Sequence, residues 1–156
     1  MQKLKPTDFY ETPPEVFNYF NKEFNFNFDV CAEIATAKCP DFYSLERGED
    51  GLKLPWKHRN WCNPPYSNVV PWLRKGIEEM NQNNRFSVFL LKADPSTKWF
   101  HDLVYPFASE IRFLKGRIRF VLKGEPAPWL PPWGSMLVVF DPNNRWNQEI
   151  TVGDFK

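Results

Sequence analysis

Arg59-Asn60-Trp61-Cys62-Asn63-Pro64-Pro65-Tyr66 reads as a short strand that halts in a rigid turn. Two successive prolines withhold backbone donors and hold φ near roughly −65°, so a hydrogen-bonded ladder cannot continue past Cys62. Beyond the turn, Pro71 to Met80 places Trp72, Leu73, Gly76, Ile77 and Met80 on one side of a predicted helix. Phe86 to Leu91 follows and is nearly all apolar, as a parallel strand buried on both faces would be. Upstream, Thr12-Pro13-Pro14-Glu15 has the marks of a helix start: a threonine cap, proline in the first turn and a glutamate that complements the dipole. Val16, Phe17 and Phe20 carry that helix to about Glu23. Phe24 to Val30 then alternates with period two, predicting a strand that ends in Cys31-Ala32 with Asp29 near its C-terminal end. Strands separated by helices imply an α/β sheet, and such sheets collect ligands at the C-terminal ends of strands, where Asp29 and Asn63 both fall.

Away from this centre the signals are shorter. Residues 1–11 are polar and read as a mobile lead-in, and Pro40, Gly48, Gly51 and Pro55 allow only brief elements across 33–57. A helix is expected from Ser96 to Val104. Ile111 to Leu114, a Lys115-Gly116 turn and Arg117 to Leu122 together predict a β-hairpin with an antiparallel C-terminal edge to the sheet. A proline-stiffened loop carrying Trp129 and Trp133 leads to a last strand, Ser135 to Phe140. Glu78 and Glu79 read as a solvated helix face.

The 156 residues suit one domain, 1–156, without an internal repeat or linker. With 42% hydrophobic and 25% charged residues, neither a disordered chain nor a coiled coil fits. No run approaches the roughly 18 apolar residues of a membrane span, and Met1-Gln2-Lys3-Leu4-Lys5 lacks the apolar centre of a signal peptide, so a soluble, non-secreted protein is expected. Cys31, Cys39 and Cys62 cannot all pair, and with only His58 and His101 there is no zinc spacing, which predicts reduced thiols and no metal. The net charge of +1 means that attraction to nucleic acid must come from a local patch.

Asn63-Pro64-Pro65-Tyr66 also has the parts needed to alkylate an exocyclic amine. Such a nitrogen shares its lone pair with the ring and attacks only when its two hydrogens are held by acceptors that favour a tetrahedral geometry. The Asn63 side-chain oxygen can supply one acceptor and the Pro64 carbonyl the other. The prolines keep both in place, and Tyr66 offers a face for a planar base. No histidine base is required.

In these blocks the chain resembles the small phage-type, Dam-like DNA N6-adenine methyltransferases, over roughly Thr12 to Phe140. The resemblance implies a trimmed Rossmann-like class I fold and S-adenosylmethionine as methyl donor. Thr12-Pro13-Pro14-Glu15-Val16-Phe17 resembles the helix motif at the methionine end of the cofactor. Phe28-Asp29-Val30-Cys31-Ala32 resembles the first cofactor motif, with Asp29 at the position that holds the methionine amino group. Asp50-Gly51-Leu52 resembles the segment that meets the cofactor adenine. Asn63-Pro64-Pro65-Tyr66 matches the catalytic motif, in unpermuted order, while Ser96 to His101 and Gly116 to Phe120 match blocks without an assigned role. The glycine-rich turn usual in the cofactor motif is replaced here by small residues around Cys31 and Ala32. Glu33, Asp41 and Glu46 all remain candidates for the ribose carboxylate, and Thr36 stands where the family has asparagine.

The expected partner is double-stranded DNA. Its adenine must leave the helix to be methylated, because the amine is otherwise paired. With no long insertion for a separate recognition domain, sequence reading is expected to fall to the hairpin and loop of residues 111–134, to a second subunit, or to both. There Lys115, Arg117, Arg119 and Lys123 would meet phosphates, and Trp129 and Trp133 would wedge or stack. The bland reading of the same charges is a solvated edge that blocks strand pairing. Methylation of protein glutamine or of cytosine N4, and a catalytically silent binding module of the same fold, are the alternatives. Action in a bacterial host's cytoplasm follows from the resemblance, and both monomer and homodimer are open.

Overall fold

The computed structural model describes residues 5–156. Helix α1 (Pro14–Phe24) has Pro13, not Thr12, as its first cap, with the Pro13 carbonyl accepting from Val16 N and Phe17 N. The helix runs through Phe24, and Asn25 ends it in the left-handed region at φ 51°. Phe24 and Phe26 therefore do not belong to the strand that their spacing predicts. An asparagine tolerates that conformation, and the Asn21 side chain then captures the Phe26 amide at 2.8 Å, turning the chain into β1 (Phe28–Ala32). Asp29, expected at or near the C-terminal end of the strand, is the second of the five residues of β1.

The region 33–57, which carries little periodicity, supplies β2 (Phe42–Ser44), and β3 (Arg59–Cys62) enters the proline turn as expected. Helix α2 (Val69–Asn83) buries Trp72, Leu73, Gly76, Ile77 and Met80, the face read from sequence. Its Glu79 departs from expectation: only 2% exposed, it pairs with Lys75 at 3.0 Å. Strand β4 (Phe86–Lys92) is followed by a π-helical turn (Phe100–Val104) and α3 (Tyr105–Phe107), so the helix expected from Ser96 begins later and is wound more loosely.

Seven strands form one sheet in the order β2-β1-β3-β4-β8-β5-β9, where β5 is Glu110–Leu114, β8 Ser135–Phe140 and β9 Glu149–Gly153. Neighbours pair in parallel except on the two sides of β8, which is antiparallel to β4 and β5. The antiparallel strand near the C-terminus thus lies inside the sheet, and β9 forms the outer edge.

The predicted hairpin across Lys115-Gly116 does not form. Strand β5 has both neighbours taken, by β8 and β9, so the chain leaves the sheet at Gly116. The hairpin closes instead at Lys123-Gly124, between β6 (Val121–Leu122) and β7 (Glu125–Pro126). Both turn residues have positive φ, 54° and 82°, the twist that suits a two-residue hairpin.

Alternation sends Phe89 and Leu91 to one face of the sheet, with α2 and the π-helical turn, and Val88 and Leu90 to the other, with α1 and Phe120. The two layers bury both faces of the sheet. The turns at the C-terminal ends of β1, β2 and β3 are left to form a site.

Candidate active site

A cavity of about 830 Å³ opens at those strand ends, within the range of small-molecule and cofactor sites. Asn63 lies on its wall, and the amide orientation there is set by hydrogen bonds. Its Nδ2 donates to the Tyr10 carbonyl and to Thr12 Oγ1, each at 3.1 Å. No described residue donates to Oδ1. Thr12 is 1% exposed, so the hydroxyl expected to cap a helix is spent on Asn63 instead.

The described part of the 1–11 lead-in carries specific contacts. Asp8 accepts from Ser67 N at 2.8 Å and Ser67 Oγ at 2.6 Å, just past the proline turn. Glu11 exchanges both backbone hydrogen bonds with Val121 and pairs with Lys38 at 2.6 Å. Residues 8–12 therefore form a strap along the cavity, anchored at Ser67, Val121 and Lys38. Residues 1–4 lie outside the described residues.

Tyr66 is not on the cavity wall. Its ring stands edge-on to Phe120 and Trp133, with centroids 6.1 and 6.4 Å away, and its hydroxyl donates to the Leu90 carbonyl at 3.3 Å. Burial pushes its phenol far above the ordinary value. Pro64 is buried and Pro65 lines the cavity. The motif therefore arrives with Asn63 facing the cavity and Tyr66 clamped behind it.

Of the expected cofactor residues, Thr12, Asp29, Cys31, Ala32 and Gly51 line the cavity. Asp29 is 4% exposed and accepts from the Cys31 and Lys38 amides at 3.2 and 3.0 Å. Burial pushes its carboxyl up to about 6, and the two amides and the Lys38 charge only partly oppose it. A buried carboxylate of this kind is stabilised by any cation placed beside it. Burial likewise raises the Cys31 and Cys62 thiols, so neither is a ready nucleophile.

Gly51 shows why no side chain is possible: a Cβ there would lie 2.1 Å from the Val30 carbonyl. Its carbonyl accepts from Trp56 Nε1 at 2.7 Å. Asp50 turns its carboxylate onto the Leu52 amide at 2.9 Å and is off the cavity wall, as are Leu52 and Pro13.

Among the ribose candidates, Glu33 and Glu46 line the cavity and Asp41 does not. Glu46 is held there by the Ile34 amide at 2.7 Å and Ser44 Oγ at 3.3 Å. Sequence reasoning missed Tyr10, Glu11, Lys38 and Glu49 as wall residues. Their only signal is proximity to Thr12, Asp29 or Asp50, which does not by itself distinguish a wall from a loop.

The basic segment is distributed over two surroundings. Lys115, Arg117 and Arg119 are exposed, with Arg119 Nη1 donating to the Ala127 carbonyl at 2.8 Å, and alternation does place Arg117 and Arg119 on one side. Arg112 is engaged elsewhere, with Glu23 and Glu110 at 2.8 and 2.7 Å. Trp129 is 68% exposed. Trp133 is half-buried under Lys92, whose Nζ lies 4.5 Å from the ring centroid. Lys123, at the hairpin turn, reaches the cavity wall itself. Among the described residues no cluster of histidine, cysteine or carboxylate side chains could hold a metal ion, and no helix is long and apolar enough to cross a membrane.

A mostly parallel sheet with one inserted antiparallel strand, layered by helices and cupping a cavity at its C-terminal strand ends, is the Rossmann-like fold of methyltransferases. The family described as DNA N-6-adenine-methyltransferase (Dam) matches residues 2–153, and the chain belongs to it. A DNA N-6-adenine-methyltransferase of Haemophilus phage HP1 (strain HP1c1) is 37% identical over 123 residues, which span 76% of this chain and 69% of that protein. Another, of Escherichia phage T1, is 38% identical over 96 residues, or 60% of this chain and 39% of that protein.

Proposed function

We propose that this protein methylates adenine at N6 in duplex DNA, with S-adenosylmethionine as donor and the target base turned out of the helix. Family membership and the two phage relatives support the reaction; the orientation of Asn63 carries the mechanism. With its Nδ2 occupied by Tyr10 and Thr12, Asn63, on the cavity wall, keeps Oδ1 as the acceptor for one amine hydrogen. The Pro64 carbonyl takes the second, and the two acceptors together favour a nitrogen with its lone pair free for attack. The donor, when bound, supplies an electrophilic methyl carbon.

The cavity residues fit that donor by their chemistry. Asp29 suits the methionine ammonium, since a cation relieves the cost of a buried carboxylate. Glu46 is the ribose candidate whose carboxylate is held in place on the wall. Gly51, Cys31 and Ala32 line the same cavity. Lys115, Arg117 and Arg119 serve DNA phosphates, with Trp129 the exposed ring beside them. Lys123 serves at the cavity itself, and Trp133 backs Tyr66. The phage origin of the relatives supports action in the cytoplasm of an infected bacterium.

The decisive experiment incubates the protein and labelled S-adenosylmethionine with unmethylated DNA, RNA and protein extract, followed by nucleoside digestion. N6-methyladenine is expected, and Asn63→Ala should abolish it. Label in cytosine, glutamine or RNA alone overturns the assignment of the acceptor. An active Asn63→Ala overturns the mechanism.

A further inference from the structure

The two ends of a primary amide are nearly equal in size, so packing cannot decide which one faces a cavity; hydrogen-bond partners must. At Asn63 the partners come from a segment more than fifty positions earlier in the chain. The Tyr10 carbonyl can only accept, so a reversed amide would set two acceptor oxygens against each other. Thr12 Oγ1, at 3.1 Å, takes the second Nδ2 hydrogen and holds the amide plane. Nothing on the proline turn itself does either job.

We propose that Thr12 is a positioning residue for Asn63, and that the strap of residues 8–12, not the proline motif alone, sets where the catalytic oxygen points. The proposal rests on Asn63 being the acceptor described above, and it reassigns Thr12 from the cofactor to the amide. Three anchors hold the strap in register: Asp8 on Ser67, the Glu11 backbone on Val121, and the Glu11 carboxylate on Lys38. Thr12 is 1% exposed and its hydroxyl points at Asn63, so a near-isosteric change removes one acceptor with little change of shape.

The test compares Thr12→Val and Thr12→Ser with the native protein. Three quantities are read: the single-turnover transfer rate at saturating DNA and S-adenosylmethionine, the cofactor Kd by calorimetry, and the Asn63 side-chain amide protons by NMR. Thr12→Val should slow transfer by on the order of ten- to a hundredfold, since small misplacement of a reacting group costs that much. Its cofactor Kd should stay within about twofold, separating a positioning role from a binding one. One Asn63 amide proton should shift upfield and exchange faster, and Thr12→Ser should restore rate and shift together. A native rate in Thr12→Val overturns the proposal, as does a weakened Kd with an unchanged saturated rate, which would return Thr12 to the cofactor. If the valine variant fails to fold, Asn63 amide protons exchanging as fast as those of a free amide in the native protein overturn it equally. A protein that transfers no methyl to adenine sinks the proposed function, whereas the NMR readout still judges the strap.

Discussion

The ring of Tyr10 lies flat on that of Phe120, with centroids 5.4 Å apart and planes 12° from parallel. This stack joins the strap that orients Asn63 to the segment that carries Arg117 and Arg119. Phe120 is fully buried, and Tyr66 also meets it edge-on. Phe120→Ala should therefore destabilise the protein by about 3–5 kcal/mol, read as a lower urea midpoint. Phe120→Leu should recover most of that stability but not the transfer rate, because the flat contact with Tyr10 is lost.

Asp29 gives the protein a defined response to acid. Its carboxyl titrates at about 6 when folded and near 3.8 when exposed, so the folded state binds the extra proton between those values. Stability from this group is present below about 3.8, falls as pH rises toward 6 and is level above it, a loss on the order of 3 kcal/mol. Cofactor binding should show the opposite trend, since an ammonium prefers the ionised carboxylate. Its Kd should weaken as pH drops below about 6, and Asp29→Asn should flatten that dependence. Calorimetry from about pH 4 to 8 reads both.

Gly51→Ala should be poorly tolerated. The added methyl would sit 2.1 Å from the Val30 carbonyl and 3.0 Å from the Trp72 ring, so β1 or α2 must move. A loss of about 1–3 kcal/mol is expected from overpacking, seen in the thermal midpoint, together with weaker cofactor binding. Gly134→Ala, with nothing within 4 Å of the added atom, should leave both unchanged.

DNA affinity should depend steeply on salt. If Arg117 and Arg119 each meet a phosphate, replacing both with alanine lowers the slope of log K against log salt by about two. The weakening should be uniform across DNA sequences. An unchanged slope would show that neither arginine meets a phosphate.

Much of this was legible in residues that act locally. The apolar face of α2 and the run Phe86 to Leu91 reported their burial through spacing. Asn63-Pro64-Pro65-Tyr66 reported a stop, since proline geometry does not depend on neighbours. The failures share a cause. Phe24-Asn25-Phe26 alternates whether it is strand or the end of a helix, and only the left-handed Asn25 decides. Lys115-Gly116 and Lys123-Gly124 are equally good turns, and the choice between them depends on β8 and β9 already flanking β5. Glu79 looks solvated from spacing alone, yet folding buries it beside Lys75.

The amino-acid sequence by itself determined the α/β class, the strand that ends at Cys62 and the rigid proline turn that follows it, because periodicity and proline geometry are properties of short windows. Only the tertiary structure decided that the Asn63 Nδ2 is taken by Tyr10 and Thr12, that Tyr66 meets Phe120 and Trp133 edge-on, and that residues 8–12 line the cavity. Each of those rests on hydrogen bonds or ring contacts between residues far apart in the chain. Such contacts have no local pattern to betray them until folding brings their partners within reach.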